Sequence, residues 1–186
     1  MSFQFEPLAI PDVVLVRSVR HGDERGSLTE VYRARVFTEA GIDARFVQMN
    51  TTRSERGVLR GLHYQLPPAA QGKLVGVTRG RVFDVAVDLR AGSPSSGRWV
   101  GRELDGDAGE LLWIPPGFAH GYQVLTEEAD LVYQLTAEYD ASRARGIRWD
   151  DVELGIDWPL ASPILSSADR SQPSLAEVGR PFGTSY

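Results

Sequence analysis

Three side chains have the type and the placement to move protons or stabilise charge. His63 lies in the strand-like run 58–64, on a face it would share with Leu59, Gly61 and Gln65. Lys73 alternates with Val75 and Val77 and should point with them toward one face, as into a barrel interior. An ammonium there must be paired or have a task, because burying it is costly. Tyr133 shares a strand face with Leu131 and Leu135, which carries its phenol into an apolar layer. Each residue alone has a blander reading. A strand histidine is more often structural, a lysine at the start of a strand can snorkel outward, and a buried tyrosine usually satisfies its hydroxyl on a backbone carbonyl. Arg25, Arg60 and the Gln48-Met49-Asn50 run form a further polar group. On a flat strand Arg60 would face opposite His63, but Gly61 permits a bulge that brings both to one cavity.

A metal centre is a poor fit to these residues. Metal-holding barrels commonly use a His-x-His pair, a nearby Glu and a later His. Here position 65 is Gln, no Glu follows within several residues, and His21 lies in an early turn. His63 and His120 without a third strong ligand do not make a transition-metal site.

The elements that must position these groups read mainly as strands. With 19 Gly and 11 Pro in 186 residues, a helical bundle is excluded. Short apolar runs recur at 13–16, 28–32, 46–49, 58–64, 73–78, 82–89, 99–100, 111–114, 122–125 and 131–135, most of them bounded by turn residues. Arg79-Gly80-Arg81 reads as a hairpin connection between two of them. In 82–89, Phe83, Val85, Val87 and Leu89 alternate with Val82, Asp84, Ala86 and Asp88, so one face packs and the other carries carboxylates. Only 33–40 reads as a helix, ended by Gly41. Nine or ten strands at this spacing predict an all-β jelly-roll barrel or sandwich with one short helix, spanning 1–186 as a single domain. From about Pro159 the chain turns irregular, and such a tail either frays or wraps the barrel.

Composition narrows the function classes. Twenty Lys and Arg against 25 Asp and Glu give a net charge of -5, which argues against a basic surface for nucleic acid. The absence of cysteine removes disulfides, zinc-thiolate sites and thiol nucleophiles. No leader pattern and no membrane-length apolar run is visible, so the expected address is the cytoplasm.

Taken together, separated motifs carry a resemblance. Gly57-Val58-Leu59-Arg60-Gly61-Leu62-His63-Tyr64-Gln65, Gln71-Gly72-Lys73-Leu74-Val75, Val82-Phe83-Asp84-Val85-Ala86-Val87-Asp88, Leu112-Trp113-Ile114-Pro115 with Gly117-Phe118-Ala119-His120-Gly121, and Gly146-Ile147-Arg148-Trp149-Asp150-Asp151 closely resemble the dTDP-4-dehydrorhamnose 3,5-epimerase family. Asp23-Glu24-Arg25-Gly26 and Leu165-Ser166-Ser167-Ala168-Asp169 match as well, so the likeness runs from about Ile10 to Pro173. It implies a cupin-type jelly roll without metal or nicotinamide cofactor, a homodimer exchanging N-terminal strands, and a dTDP-4-keto-6-deoxy sugar as substrate. It further implies that His63 is the base, held by Asp169, that Tyr133 returns the proton from the other face, and that Lys73 stands near the enolate oxygen. Arg25, Glu30, Gln48, Asn50, Arg60 and His120 match substrate contacts, and Tyr139 matches an aromatic that stacks on thymine.

The chain departs from that pattern at Met49, Glu138, Ala144 and Ala168, where the family commonly has Asp, an aromatic, Glu and Lys. These changes bear on nucleotide grip and sugar preference, and leave room for a relative that inverts one carbon. Other classes remain as alternatives: a metal-dependent cupin enzyme, a binding module that would have no use for His63, Lys73 and Tyr133 together, and a ketone isomerase on the same scaffold.

Overall fold

The computed structural model describes residues 2–183. The chain opens with β1 (Phe3–Pro7), β2 (Val14–Ser18), the short pair β3 (Arg20–Asp23) and β4 (Gly26–Thr29), and helix α1 (Ala34–Glu39). The barrel strands follow: β5 (Gln48–Glu55), β6 (Leu59–Gln65), β7 (Lys73–Arg79), β8 (Arg81–Asp88), β9 (Trp99–Asp105), β10 (Glu110–Ile114), β11 (Phe118–Val124), β12 (Glu128–Leu135) and β13 (Ala144–Gly146). Two single-turn helices, α2 (Ser167–Arg170) and α3 (Leu175–Val178), lie in the last part of the chain.

Two antiparallel sheets face one another, in the order β1-β2-β10-β7-β12-β5 and β13-β6-β11-β8-β9. Successive strands repeatedly change sheet, as a jelly roll requires. The Arg79-Gly80-Arg81 connection is therefore a corner and not a hairpin: β7 pairs with β10 and β12, whereas β8 pairs with β11 and β9. Gly80 takes φ +75°, and a Cβ there would meet the Glu128 carbonyl oxygen at 2.2 Å, so the glycine serves this tight crossing.

Between the sheets lies an apolar layer, with Leu15, Val75, Val77, Leu112 and Ile114 from one wall and Val82, Ala86, Val100, Leu104, Phe118 and Val124 from the other. Each such side chain contributes roughly 1.5–3 kcal/mol by leaving water. The outer face of the six-stranded sheet is covered by α1 through Phe37, which packs with Phe3, Val16, Leu74 and Trp113. The outer face of the five-stranded sheet is covered by the tail, through Leu154, Leu175 and Phe182 packed on Val85, Val87 and Leu89. The tail thus wraps the barrel, and a parallel bridge between Val58 and Ile164 pins it down.

The alternation in β8 is real, but its carboxylates are not on a solvated face. Both faces of the strand are covered, and Asp84 and Asp88 are fully buried on the side that looks into the barrel. Asp88 anchors Arg90 at 2.7 and 2.9 Å and accepts from Ser93 and Ser95, each at 2.6 Å. Burial pushes this carboxyl up, yet those donors outweigh it and hold it at about 2. Strands β1 and β3 go beyond the sequence reading, and the β3–β4 pair stands apart from both sheets with Leu28 exposed. Among the described residues no helix is long and apolar enough to cross a membrane.

The bulge foreseen at Gly61 is present. Arg60 and His63, three apart on β6, oppose Tyr122 and His120, two apart on β11. Gly61 has φ +139°, and a Cβ there would lie 2.5 Å from the Gly121 Cα and 3.0 Å from the His120 oxygen. Gly61→Ala should therefore cost about 2–5 kcal/mol of stability. Chemical denaturation of the variant checks this, and an unchanged midpoint and slope would contradict the packing described.

Candidate active site

A cavity of about 610 Å³ opens between the sheets at one end of the barrel. Register explains which side chains enter it. On the six-stranded wall, Leu135 sits between Lys73 and Gln48, Tyr133 between Val75 and Asn50, and Leu131 between Val77 and Thr52. Period-two alternation then turns Lys73, Tyr133, Gln48, Asn50 and Thr52 toward the interior together. On the facing wall, the β6 bulge carries both Arg60 and His63 into the cavity, beside His120 and Tyr122 of β11.

His63 is fixed from behind by the tail. Its Nε2 lies 2.6 Å from Asp169 Oδ1. Asp169 is only 4% exposed, and Ser166, the N-cap of α2, donates to its Oδ2 at 2.9 Å while accepting from its backbone N–H at 3.0 Å. Burial pushes the Asp169 carboxyl up, but the His63 hydrogen bond and charge, Ser166 and Arg60 together hold it below its ordinary value. With Nε2 committed to the carboxylate, Nδ1 is the ring nitrogen left to act.

A second imidazole–carboxylate pair lies deeper. His120 Nε2 is 2.9 Å from both oxygens of Asp84. Burial lowers the His120 pKa, with the Lys73 and His63 charges adding to it and Asp84 opposing. Lys73 donates from Nζ to the His63 carbonyl oxygen at 3.0 Å. Burial pulls its ammonium down to about 8, again against Asp84. Asp84 is thus the counter-charge that keeps a cation tolerable among valines, a role the alternation of β8 did not disclose.

Of the site residues expected from sequence, His63, Lys73, Tyr133, Asp169, Gln48, Asn50, Arg60, His120 and Tyr139 all line this cavity. Arg25 and Glu30 do not. Arg25 sits on the exposed β3–β4 pair, bound to Asp23 and lining a separate cleft, and Glu30 pairs with Arg33 at 2.6 Å. Ala144 and Ala168 line the mouth of the cavity, while Met49 faces outward from β5. Sequence reasoning passed over Thr52, Gln65, Gln71, Tyr122, Ser166 and Gln172, all of which also line it. Among the described residues no three His, Asp or Glu side chains converge as metal ligands would.

Comparison with known proteins finds a family and a fold. The profile of the dTDP-4-dehydrorhamnose 3,5-epimerase family matches residues 7–177. The dTDP-4-dehydrorhamnose 3,5-epimerase of Pseudomonas aeruginosa is 52% identical over 173 residues, 92% of this chain and 95% of that protein. The dTDP-6-deoxy-D-glucose-3,5-epimerase of Legionella pneumophila, solved in complex with dTDP-4-keto-L-rhamnose, superposes with a TM-score of 0.91 at 43% identity, covering 97% of this chain and 98% of that one. The 4-keto-6-deoxy sugar epimerase from the novobiocin biosynthetic gene cluster of Streptomyces spheroides reaches 0.94 at 36% identity, covering 100% and 95%.

Burial of Lys73 has a measurable cost. A folded pKa of about 8 against the ordinary lysine value of 10.5 corresponds to roughly 3 kcal/mol. Below pH 8 both states hold the proton and the fold bears the whole cost. Between about pH 8 and 10.5 the unfolded chain keeps a proton the folded chain has shed, so stability rises with pH. Lys73→Met also loses one hydrogen bond worth about 1 kcal/mol. Relative to wild type, Lys73→Met should lose ground as pH rises from about 8 to 10.5, because only the wild type sheds a buried charge over that range. A stability difference between the two that stays constant across that range would contradict this.

Proposed function

This chain belongs to the dTDP-4-dehydrorhamnose 3,5-epimerase family and is an isomerase, and from that premise we propose how its residues invert C3 and C5 of dTDP-4-dehydro-6-deoxy-D-glucose. One observation carries the reading: an imidazole–carboxylate pair on one wall of the cavity faces a phenol and an ammonium on the other. Inversion needs proton removal on one side of a carbon and delivery on the opposite side. Two facing sheets supply those sides.

The C4 ketone makes the hydrogens on C3 and C5 acidic, so neither hydride transfer nor an external electron sink is required. His63 Nδ1 takes the proton from carbon, and the C–H electron pair becomes the C=C bond of an enolate. Asp169 keeps the other ring nitrogen protonated and favours the imidazolium as it forms. The buried Lys73 ammonium stabilises the oxygen that gains charge. Tyr133 O–H delivers a proton to the opposite face as the carbonyl re-forms. Proton exchange with solvent then restores His63 and Tyr133 for the second carbon.

Arg60 has guanidinium N–H groups for the diphosphate, since only Nε and Nη2 are engaged, both on Ser54 at 3.2 Å. Gln48, Asn50 and His120 contact the sugar nucleotide, and Tyr139, 65% exposed at the mouth, stacks on the thymine. We extend the proposal to a homodimer. The β3–β4 pair leaves Leu28 71% exposed, with Val19 and Val31 at its flanks 44% and 43% exposed, apolar side chains that a second copy would cover. Such an exchange brings Arg25 and Glu30 to the neighbouring cavity.

Turnover of dTDP-4-keto-6-deoxyglucose in deuterated water, read by NMR, tests the reaction. Deuterium should appear at both C3 and C5; label at one carbon indicates a single-site epimerase, and none contradicts the reading. His63→Asn should lose about a hundredfold or more at both positions. Tyr133→Phe should still exchange hydrogen for deuterium on the His63 side while forming little inverted product.

A further inference from the structure

Tyr139 lines the cavity with its side chain 65% exposed. What holds it is the main chain beneath. Strand β12 ends at Leu135, and beyond it the ladder is continued by glutamine side chains. Gln71 Nε2 donates to the Ala137 oxygen at 2.8 Å. Gln65 Nε2 donates to the Glu138 oxygen at 3.1 Å and to the Ala69 oxygen at 2.7 Å, and its Oε1 accepts from the Asp140 N–H at 2.8 Å. Gln48 Oε1 accepts from the Tyr139 N–H at 2.8 Å, and its Nε2 donates to Asn50 Oδ1 at 3.0 Å.

A glutamine amide carries the same donor and acceptor groups as a peptide unit, so it can pair with a strand end that has no neighbouring strand. Four consecutive residues, 137–140, are caught this way from three different places in the chain. Gln65 is 3% exposed with both N–H donors and its acceptor used, which leaves one orientation that satisfies it. Gln71 is a loop residue with a single such bond, so its removal disturbs little else.

On the reading that the cavity takes a dTDP-sugar, we propose that Gln65 and Gln71, together with Gln48, are positioning residues that hold the 137–140 segment and so fix Tyr139 for stacking on the nucleobase. Gln65 and Gln71 act through Tyr139 and do not touch the reacting carbons, whereas Gln48 also contacts the sugar nucleotide. A preorganised ring spares the entropy of ordering the segment when ligand binds, so losing the clamp weakens recognition of the base and leaves recognition of the diphosphate alone.

Calorimetric titration of the full-length protein with dTDP and, separately, with inorganic pyrophosphate tests this. Tyr139→Ala should weaken dTDP binding about tenfold or more, in the range of base–aromatic stacking. Gln71→Ala should weaken dTDP several-fold with pyrophosphate affinity unchanged, and the double variant should bind dTDP no more weakly than Tyr139→Ala. Gln65→Ala should show the same pattern more strongly, with Gln71→Ala deciding the matter if the buried substitution unfolds the chain. Additive losses in the double variant, or equal weakening toward dTDP and pyrophosphate, would overturn the positioning role. Wild type that binds pyrophosphate as tightly as dTDP would instead overturn the nucleotide reading, and the clamp's role with it.

Discussion

The hydrogen bond between His63 and Asp169 joins residues 106 apart in sequence, and much of the fold can be understood as what makes it possible. His63 must face the cavity, so β6 must bulge at Gly61. Asp169 must approach from outside the barrel, so the tail must be held against the five-stranded sheet. It is held by main-chain bonds, Leu59 N to Ile164 O at 3.0 Å and Ile164 N to Gly57 O at 2.8 Å, and by the buried side chains of Leu175 and Phe182. The Leu175 N–H in turn donates to Asp151 at 2.8 Å. A carboxylate placed by so many contacts needs no reorganisation when an imidazolium forms beside it.

The barrel interior is divided along its length. Toward one end Val77, Leu131 and Val82 belong to the apolar cluster, and toward the other Lys73, Asp84, His120 and the His63 carbonyl share a small buried volume. Burying such groups is unfavourable for each one separately. Mutual pairing offsets part of the cost, and the remainder is the depressed ammonium of Lys73. In the proposed reaction the same strain would suit catalysis, since an enolate oxygen arriving near that cation would add to the counter-charge that Asp84 provides at rest.

Much of this was legible in the sequence because β structure has a period of two. Lys73 among valines and Tyr133 between leucines point inward for that reason, and Gly61 marked the bulge that turns Arg60 and His63 the same way. Alternation gives two faces but not which of them is wet, so Asp84 and Asp88 read as lying opposite the packed face when both lie inside. Arg79-Gly80-Arg81 has hairpin composition, yet a corner between sheets uses the same residues. Asp169 has no periodic signal at all. Its segment is fixed by individual hydrogen bonds and a two-residue bridge, so only the resemblance singled it out. The glutamines that hold the 137–140 segment were silent for a similar reason, because their partners are main-chain groups 66 to 91 residues away.

In the proposed reaction Asp169 fixes the His63 tautomer and leaves Nδ1 bare toward the substrate. Long-range proton–nitrogen correlation NMR on protein with labelled histidine reads this directly. With only three histidines in the chain, His63 is assigned by comparison with His63→Asn. In the neutral imidazole, Nε2 should carry the proton and Nδ1 should show the shift of an unprotonated nitrogen, and Asp169→Asn should disturb that pattern. A His63 ring protonated at Nδ1 in the wild type, or a pattern indifferent to Asp169→Asn, would contradict the account.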